Sequence, residues 1–218
     1  MVGYIEIMEM SQEHVWFSSG DLQLEGVLHL PQREGPFHGV VVCHPHPLYG
    51  GSMFDNVVAA ICRGVIEASI VAVRFNFRGV GQSTGSFCNG LGEQEDVVAA
   101  LTFLSSLHSV DSTRMGLSGY SFGAAVALPV SVRDERVQAL ALISPPFPLS
   151  EWEGFHSYSK PCLIMGGTED ELFSHPTSLP NGVHCELIPA ADHFWRGHEA
   201  QVSTSVSTFF SSALRPEF

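Results

Sequence analysis

The sequence predicts an α/β fold in which helices cover both faces of a mostly parallel sheet of about eight strands. A β-hairpin is indicated near the amino terminus by residues 15–19 and 22–30, and the second of these segments alternates apolar with polar residues. From residue 39 onward, continuous apolar runs alternate with amphipathic segments. Such runs are typical of parallel strands that are buried on both faces.

The remaining elements are predicted as an alternation of strands and helices. In the helices the apolar residues recur on one stripe, as Val57, Ile61 and Val65 do. No linker or repeat interrupts the 218 residues, so we expect a single domain over 1–218. The expected strands cover 40–43, 70–77, 110–117, 137–143, 162–165 and 185–188, and the expected helices cover 56–68, 93–107, 122–132 and 199–214.

The composition argues against several classes of partner. Ten basic and 23 acidic side chains give a formal net charge of −13, and no basic cluster is present that could bind a nucleic-acid backbone. The first ten residues do not resemble a signal peptide, and no apolar run approaches the roughly 20 residues of a membrane span. We therefore expect a cytoplasmic protein with neither a nucleic-acid nor a membrane partner, and with its five cysteines reduced.

Residues 119–123 read Gly-Tyr-Ser-Phe-Gly and lie where the strand over 110–117 turns into the helix over 122–132. This is the context of a nucleophile elbow, in which small residues on either side let the strand and the helix approach. Ser121 is therefore the predicted nucleophile. Residues 81–85 also match the G-x-S-x-G pattern, but they lead into a glycine-rich loop, so we interpret Ser83 as a loop residue.

A serine nucleophile needs a base, and the base needs an acid to orient it. In this architecture the acid comes next along the chain and the histidine comes last. Asp170 follows the strand over 162–165 and is the predicted acid, whereas His193 follows the last strand and is the predicted base. The weaker candidates are Glu169 and Glu171 for the acid, expected to be solvated neighbours, and His198 for the base.

An oxyanion hole should be formed by two backbone N–H groups. The first is predicted at Phe122, immediately after the nucleophile. The second should come from the loop after the strand over 40–43, where His46 is the preferred donor and Leu48 or Tyr49 the alternatives, because the prolines of this loop have no N–H. The His-x-His spacing of the loop could also suggest zinc, but no further ligand follows at a suitable spacing. We expect no metal and no cofactor.

With these residues in this order, the chain resembles members of the α/β-hydrolase superfamily, and the resemblance covers residues 15–214. Segments 44–51, 76–85 and 92–97 are similar to a group of small bacterial predicted α/β hydrolases, which is related to dienelactone hydrolases and to the peptidase-like branch. Dienelactone hydrolases use a cysteine nucleophile where this chain has Ser121, so the resemblance does not imply dienelactone activity. It does imply an α/β-hydrolase fold, and a structural role for Arg78.

The resemblance also bears on access to the site, because a cap domain commonly follows the strand over 137–143 in this superfamily. Only residues 144–160 separate that strand from the next, too few for a separate domain. We expect an open site without a lid, with substrate contacted by Tyr49, Phe147 and Trp195. Further candidates for its rim are Pro145, Pro146, Trp152 and Phe173.

The predicted function is hydrolysis of small carboxylic esters with short acyl chains, through an acyl-enzyme. The same triad could instead act on a thioester, or on a peptide or amide bond. A protein of another class, which keeps the fold but only binds ligands, is a further alternative. The expected partner is a small-molecule ester, and the protein should be a monomer or a homodimer.

Overall fold

The computed structural model describes residues 10–31, 35–146, 148, 155 and 158–215. Its strands are β1 (Met10–Ser19), β2 (Leu22–Pro31), β3 (Phe37–Cys43), β4 (Val71–Phe75), β5 (Val110–Tyr120), β6 (Val137–Ile143), β7 (Cys162–Gly167) and β8 (Val183–Ile188). Its α-helices are α1 (Asn56–Glu67), α2 (Leu91–Ser105), α3 (Phe122–Arg133) and α4 (Glu199–Ala213), and a short 3-10 helix covers Pro47–Tyr49.

The strands form one eight-stranded sheet in the order β1-β2-β4-β3-β5-β6-β7-β8. The pairs β1–β2 and β2–β4 are antiparallel, and the other five pairs are parallel. The predicted fold, a mostly parallel sheet with an antiparallel hairpin at its amino-terminal edge, is confirmed. The carboxyl ends of β3, β5, β6 and β7 therefore meet at one edge of the sheet, where the loops that follow them can converge.

Two apolar cores lie on opposite faces of the sheet. Along β3, Val40 and Val42 belong to one core and Val41 and Cys43 to the other, because successive strand residues point to opposite faces. Helices α1 and α4 cover the first face, and α2 and α3 cover the second. Burial of these apolar residues between helices and sheet supplies the main favourable contribution to folding.

Helix α2 begins at Leu91, two residues earlier than the sequence indicated. The reason is a cap at its amino terminus that the side chain of Glu93 supplies. The Glu93 carboxylate, which is fully buried, accepts hydrogen bonds from the backbone N–H of Gly90 at 2.7 Å and of Cys88 at 2.8 Å. These bonds satisfy amides near the start of the helix that would otherwise lack partners.

The loop after β4 is held by buried polar contacts, in agreement with a structural role for Arg78. Its guanidinium forms a bidentate pair with the fully buried Asp96, at 3.0 Å from Nε and 2.8 Å from Nη2. In the same loop, the Ser83 hydroxyl donates to the Asn76 carbonyl oxygen at 2.7 Å and accepts from the Glu25 N–H at 3.0 Å. Ser83 is thus a loop residue, as predicted. The structure adds that its buried hydroxyl joins this loop to β2.

In the described ranges no helix combines the length and the apolarity that a membrane crossing requires. All five cysteines are free thiols.

Two buried histidines make the stability of the fold dependent on pH. Burial, reinforced by the positive charge of Arg74, lowers the pKa of His29 from 6.5 to about 4. Burial also lowers the pKa of His44 to about 4, although a hydrogen bond to the Pro45 carbonyl opposes the shift. Both side chains are therefore neutral in the folded protein at neutral pH, and protonation of either one favours unfolding.

We expect the free energy of unfolding to fall as the pH drops from about 6.5 to about 4, because the unfolded chain binds more protons there. Each histidine should contribute up to about 1.4 kcal/mol per pH unit, and the full stability should be present above pH 6.5. Urea unfolding at several pH values measures this slope. His29→Gln should make the slope of the unfolding free energy against pH smaller, whereas His175→Gln, at an exposed position, should leave the slope unchanged. An unfolding free energy that does not change between pH 6.5 and pH 4 would contradict the prediction.

Candidate active site

Ser121 lies between the end of β5 and the start of α3. Its backbone has φ 53° and ψ −118°, a left-handed conformation that a residue with a side chain rarely adopts. A Cβ at Gly119 would collide with the backbone of Gly123 and would lie 2.6 Å from the Ala124 nitrogen. The predicted need for small residues on both sides of the serine is met, since only glycine lets the strand and the helix pass this closely.

Gly123 also brings the loop after β3 against the elbow. A Cβ there would collide with the Cys43 carbonyl and would lie 2.7 Å from the His44 carbonyl oxygen. The His44 ring is buried beside this contact, where Nε2 accepts from the Phe77 N–H at 3.0 Å and Nδ1 therefore donates to the Pro45 carbonyl at 2.6 Å. His44 thus joins the loops after β3 and β4 and does not face the pocket.

The structure brings the three predicted triad residues together. His193 Nε2 lies 3.0 Å from Ser121 Oγ, and His193 Nδ1 lies 2.9 Å from Asp170 Oδ1. In the neutral imidazole Nδ1 carries the proton that Asp170 accepts, which leaves the Nε2 lone pair for the serine hydroxyl. This is the geometry in which a histidine can remove a proton from a serine.

Asp170 is held as a carboxylate by the groups around it. Burial opposes its charge, but hydrogen bonds from His193 and Ser144 outweigh burial and hold the pKa of Asp170 below its ordinary value. The Leu172 N–H donates to Oδ1 at 3.0 Å as well. The alternative acids Glu169 and Glu171 are exposed. Asp170 therefore remains ionised throughout the neutral range.

The backbone around His193 is fixed from two sides. The Tyr120 hydroxyl donates to the His193 carbonyl at 2.6 Å. The exposed Asp192 side chain accepts from the N–H groups of Phe194 at 2.9 Å and Trp195 at 3.0 Å, which closes a tight turn. The alternative base, His198, directly precedes α4, and among the described residues it is His193 and not His198 that forms the hydrogen bond with Ser121 Oγ.

The hydrogen bonds of the loop after β3 favour one of the candidate oxyanion donors. The Leu48 N–H donates to the His46 ring and the Tyr49 N–H donates to the His46 carbonyl, so neither is free. Within the described residues the N–H groups of His46 and Phe122 donate to no acceptor. The rings of His46 and Phe122 pack at 4.9 Å, which keeps the two residues adjacent.

A pocket of about 370 Å³ opens above Ser121 and His193. Tyr49, for which we predict contact with substrate, lines this pocket with 87% of its surface exposed. Sequence reasoning missed Asp55, Leu172 and Phe194, which also line the pocket. Leu172 and Phe194 each lie within two residues of a triad member, a proximity that could have identified them. The lining residues are Pro45, His46, Tyr49, Gly50, Gly51, Asp55, Tyr120, Ser121, Phe122, Pro146, Leu172, His193 and Phe194.

The expectation that Trp195 contacts substrate is wrong. Its side chain is fully buried, because the turn closed by Asp192 gives Trp195 a φ of 58° and directs the indole into the core. Of the other rim candidates, Pro146 lines the pocket, and Phe173 is half-buried and packs on the core. Phe147 and Trp152 lie outside the described residues.

As for metals, the described part of the chain contains no group of three or more His, Cys, Asp or Glu side chains placed to hold an ion.

Comparison with known proteins identifies the family of the chain. The profile of the Dienelactone hydrolase family matches residues 24–184. The chain belongs to the dienelactone hydrolase family. It is a hydrolase with the α/β-hydrolase fold, and it carries a serine at the elbow of that fold.

Individual proteins of this kind are similar over most of the chain. An uncharacterised protein of Rickettsia prowazekii is 33% identical over 184 residues, covering 78% of this chain and 76% of that protein. A Xanthomonas campestris protein, described as an α/β serine hydrolase without a lid, superposes with a TM-score of 0.80 at 28% identity, covering 95% and 97% of the two chains. A thiohydrolase of Arthrinium phaeospermum is 35% identical over 141 residues, which cover 62% of this chain and 44% of that protein.

The left-handed backbone of Ser121 leads to a stability prediction. Because glycine adopts φ 53° and ψ −118° with little strain, Ser121→Gly should be more stable than Ser121→Ala by about 1 kcal/mol. Urea unfolding of the two variants measures the difference. Ala125, in helix α3, is the control position, because glycine destabilises a regular helix. Ala125→Gly should lower the free energy of unfolding by about 1 kcal/mol. Equal stability of the two Ser121 variants would show that the elbow is not strained.

Proposed function

We propose that this member of the dienelactone hydrolase family is a serine esterase that cleaves small carboxylic esters with short acyl chains. The observation that carries the proposal is the continuous hydrogen-bonded chain from Ser121 through His193 to Asp170, with distances of 3.0 and 2.9 Å. A serine hydroxyl is a poor nucleophile by itself, and this arrangement supplies the base that it needs.

The proposed reaction has two halves. In the first, Ser121 Oγ attacks the ester carbonyl while His193 Nε2 takes its proton, and collapse of the tetrahedral intermediate returns that proton to the departing alcohol. In the second, His193 removes a proton from water as the water attacks the acyl-enzyme, and it returns that proton to Ser121 Oγ when the bond between Oγ and the acyl carbon breaks and the acid is released. Asp170 stabilises the imidazolium that forms in each half, and it keeps the ring in the productive tautomer.

The second requirement of the mechanism is that the negative charge that develops on the carbonyl oxygen is stabilised. We assign its stabilisation to the N–H groups of Phe122 and His46, which have no acceptor among the described residues. Phe122 is the first residue of α3, where the helix dipole also favours an anion. Because the loop of His46 is fixed by the buried His44, the donors are in place before substrate binds.

The size and the walls of the pocket support a small substrate. Its volume of about 370 Å³ is near the lower end of the range for ligand pockets. Leu172 and Phe194, which are 56% and 58% exposed, provide apolar contacts at the mouth. Thioester hydrolysis is the second candidate, favoured by the similarity to the Arthrinium phaeospermum thiohydrolase, and it would use the same triad.

Charge should also select among substrates. Asp55 is the N-cap of α1, where its Oδ1 accepts from the Val57 N–H at 2.9 Å, and its side chain lines the same pocket as Ser121 and His193. No lysine or arginine is among the described lining residues. We therefore propose that the site prefers neutral or cationic esters to esters that carry a carboxylate.

The esterase proposal is tested by release of p-nitrophenol from acetate, butyrate and octanoate esters. The wild type should prefer the shorter acyl chains, and Ser121→Ala should reduce kcat by at least about 1,000-fold because the nucleophile is lost. Ser83→Ala is the matched control, since it alters the serine of the other G-x-S-x-G match. Full activity of Ser121→Ala would refute the assignment of the nucleophile.

Labelling with a fluorophosphonate probe separates the remaining alternatives. A wild-type protein that is labelled at Ser121 but inactive on these esters would favour the thioester or amide alternatives. A protein that is neither labelled nor active would favour a ligand-binding function.

The charge proposal predicts a lower kcat/KM for mono-p-nitrophenyl succinate than for p-nitrophenyl butyrate. Asp55→Asn should narrow this ratio by about fivefold, which corresponds to about 1 kcal/mol of repulsion between partly screened charges. Asparagine caps a helix as well as aspartate does. Glu171→Gln removes the same charge from an exposed position and should leave the ratio unchanged. If both variants change the ratio equally, the discrimination comes from net charge and not from Asp55.

A further inference from the structure

Next to the acid of the triad lies a buried chain of polar side chains that takes no direct part in the proposed reaction. The Ser144 hydroxyl lies 2.6 Å from Asp170 Oδ2, and Trp195 Nε1 lies 2.9 Å from the same hydroxyl. Ser144 and Trp195 are fully buried, and neither lines the pocket. Ser144 therefore contacts the acid directly and Trp195 contacts it through Ser144, and neither residue lies where substrate would bind.

The chemistry of the three groups allows only one direction for these hydrogen bonds. An indole N–H can only donate and an ionised carboxylate can only accept. The Ser144 hydroxyl must therefore accept from Trp195 and donate to Asp170. A hydroxyl is normally free to rotate, but here the indole and the carboxylate together leave it a single orientation.

The backbone at both residues is unusual in a way that serves this contact. Ser144 has φ 46° and Trp195 has φ 58°, left-handed values that side-chain-bearing residues seldom adopt. Ser144 directly follows β6, and its N–H donates to the Met165 carbonyl in β7 at 2.7 Å. Two residues with uncommon backbone conformations, from different parts of the chain, meet at the acid. Such conformations persist where surrounding contacts hold them, and they are common at functional sites.

We propose that Ser144 and Trp195 are positioning residues for Asp170, and that they act on the reaction of the proposed serine esterase through it. The His193 Nδ1–H is shared between the two carboxylate oxygens of Asp170, at 2.9 Å from Oδ1 and 3.0 Å from Oδ2, and the Leu172 N–H donates to Oδ1 at 3.0 Å. The bond from Ser144 holds Oδ2 as the Leu172 amide holds Oδ1, and together they prevent the carboxylate from rotating away from the imidazole. A hydrogen bond to a charged acceptor is strong enough for its loss to be measurable.

Because neither residue touches substrate, their removal should lower kcat and leave KM nearly unchanged. We expect Ser144→Ala to reduce kcat about tenfold, and Trp195→Phe about threefold, because the second variant retains the hydroxyl and loses only its fixed orientation. In the double variant the loss should not exceed that of Ser144→Ala by more than about twofold, since both residues act through one contact.

Ser118→Ala is the matched control. Ser118, in β5, is fully buried as Ser144 is, and its hydroxyl donates to the Ala141 carbonyl at 3.0 Å without contacting the triad. It should lower stability by an amount similar to Ser144→Ala and leave kcat unchanged. Thermal unfolding of every variant verifies that the proteins compared are folded.

The decisive measurement is the rate at which a fluorophosphonate probe labels Ser121, because it requires no knowledge of the natural substrate. Labelling should be about tenfold slower in Ser144→Ala and unchanged in Ser118→Ala. The low-field proton resonance of His193 Nδ1–H should shift in Ser144→Ala and Trp195→Phe but not in Ser118→Ala, a difference that a loss of stability alone would not cause.

The outcomes distinguish this inference from the proposed function on which it rests. Equal labelling rates for the wild type and Ser144→Ala would overturn the positioning role and leave the esterase proposal intact. Additive losses from Ser144→Ala and Trp195→Phe would show that Trp195 does not act through Ser144, and would also overturn it. A wild-type protein that the probe does not label would overturn the proposed function and this inference together.

Discussion

The site depends on one steric constraint, the close passage of β5 and α3 at the elbow. Ser121 can project toward the pocket only if its backbone takes a left-handed conformation, and Gly119 and Gly123 make that turn possible. Gly123 also lets Cys43, at the end of β3, lie close against the start of the helix. A single approach between a strand, a helix and a loop therefore places both the nucleophile and the candidate oxyanion donors.

The electrostatics of the site are built around a carboxylate that is buried yet remains ionised. Burial alone would raise the pKa of Asp170, but donors from three directions keep it charged. One of them, His193, belongs to the proposed chemistry, whereas Ser144 and the Leu172 amide belong to the scaffold. The negative charge can in this way be available to the imidazole without exposure to water, which would weaken its effect.

The sequence was informative wherever a local pattern dictates geometry. Strand hydrophobicity predicted β6 over its full length, and the order of serine, acid and histidine predicted which side chains would meet. It failed at Trp195, which was expected to contact substrate at the rim of an open site. The side chain turns inward because Asp192 closes the preceding turn, and a residue pattern does not encode the sign of φ outside glycine-rich turns.

The sequence by itself therefore determined the fold class, the position of the elbow and the three residues of the candidate triad, because apolar periodicity and glycine spacing are local properties. Only the tertiary structure decided which loop amides are free for an oxyanion, that Asp55 faces the pocket, and that Ser144 and Trp195 support the acid. Ser144 and Asp170 are 26 positions apart and Ser144 and Trp195 are 51 positions apart, and the pocket is lined by loops from separate parts of the chain. The existence of these contacts depends on how the sheet aligns the strand ends, and no short segment of the chain carries that information.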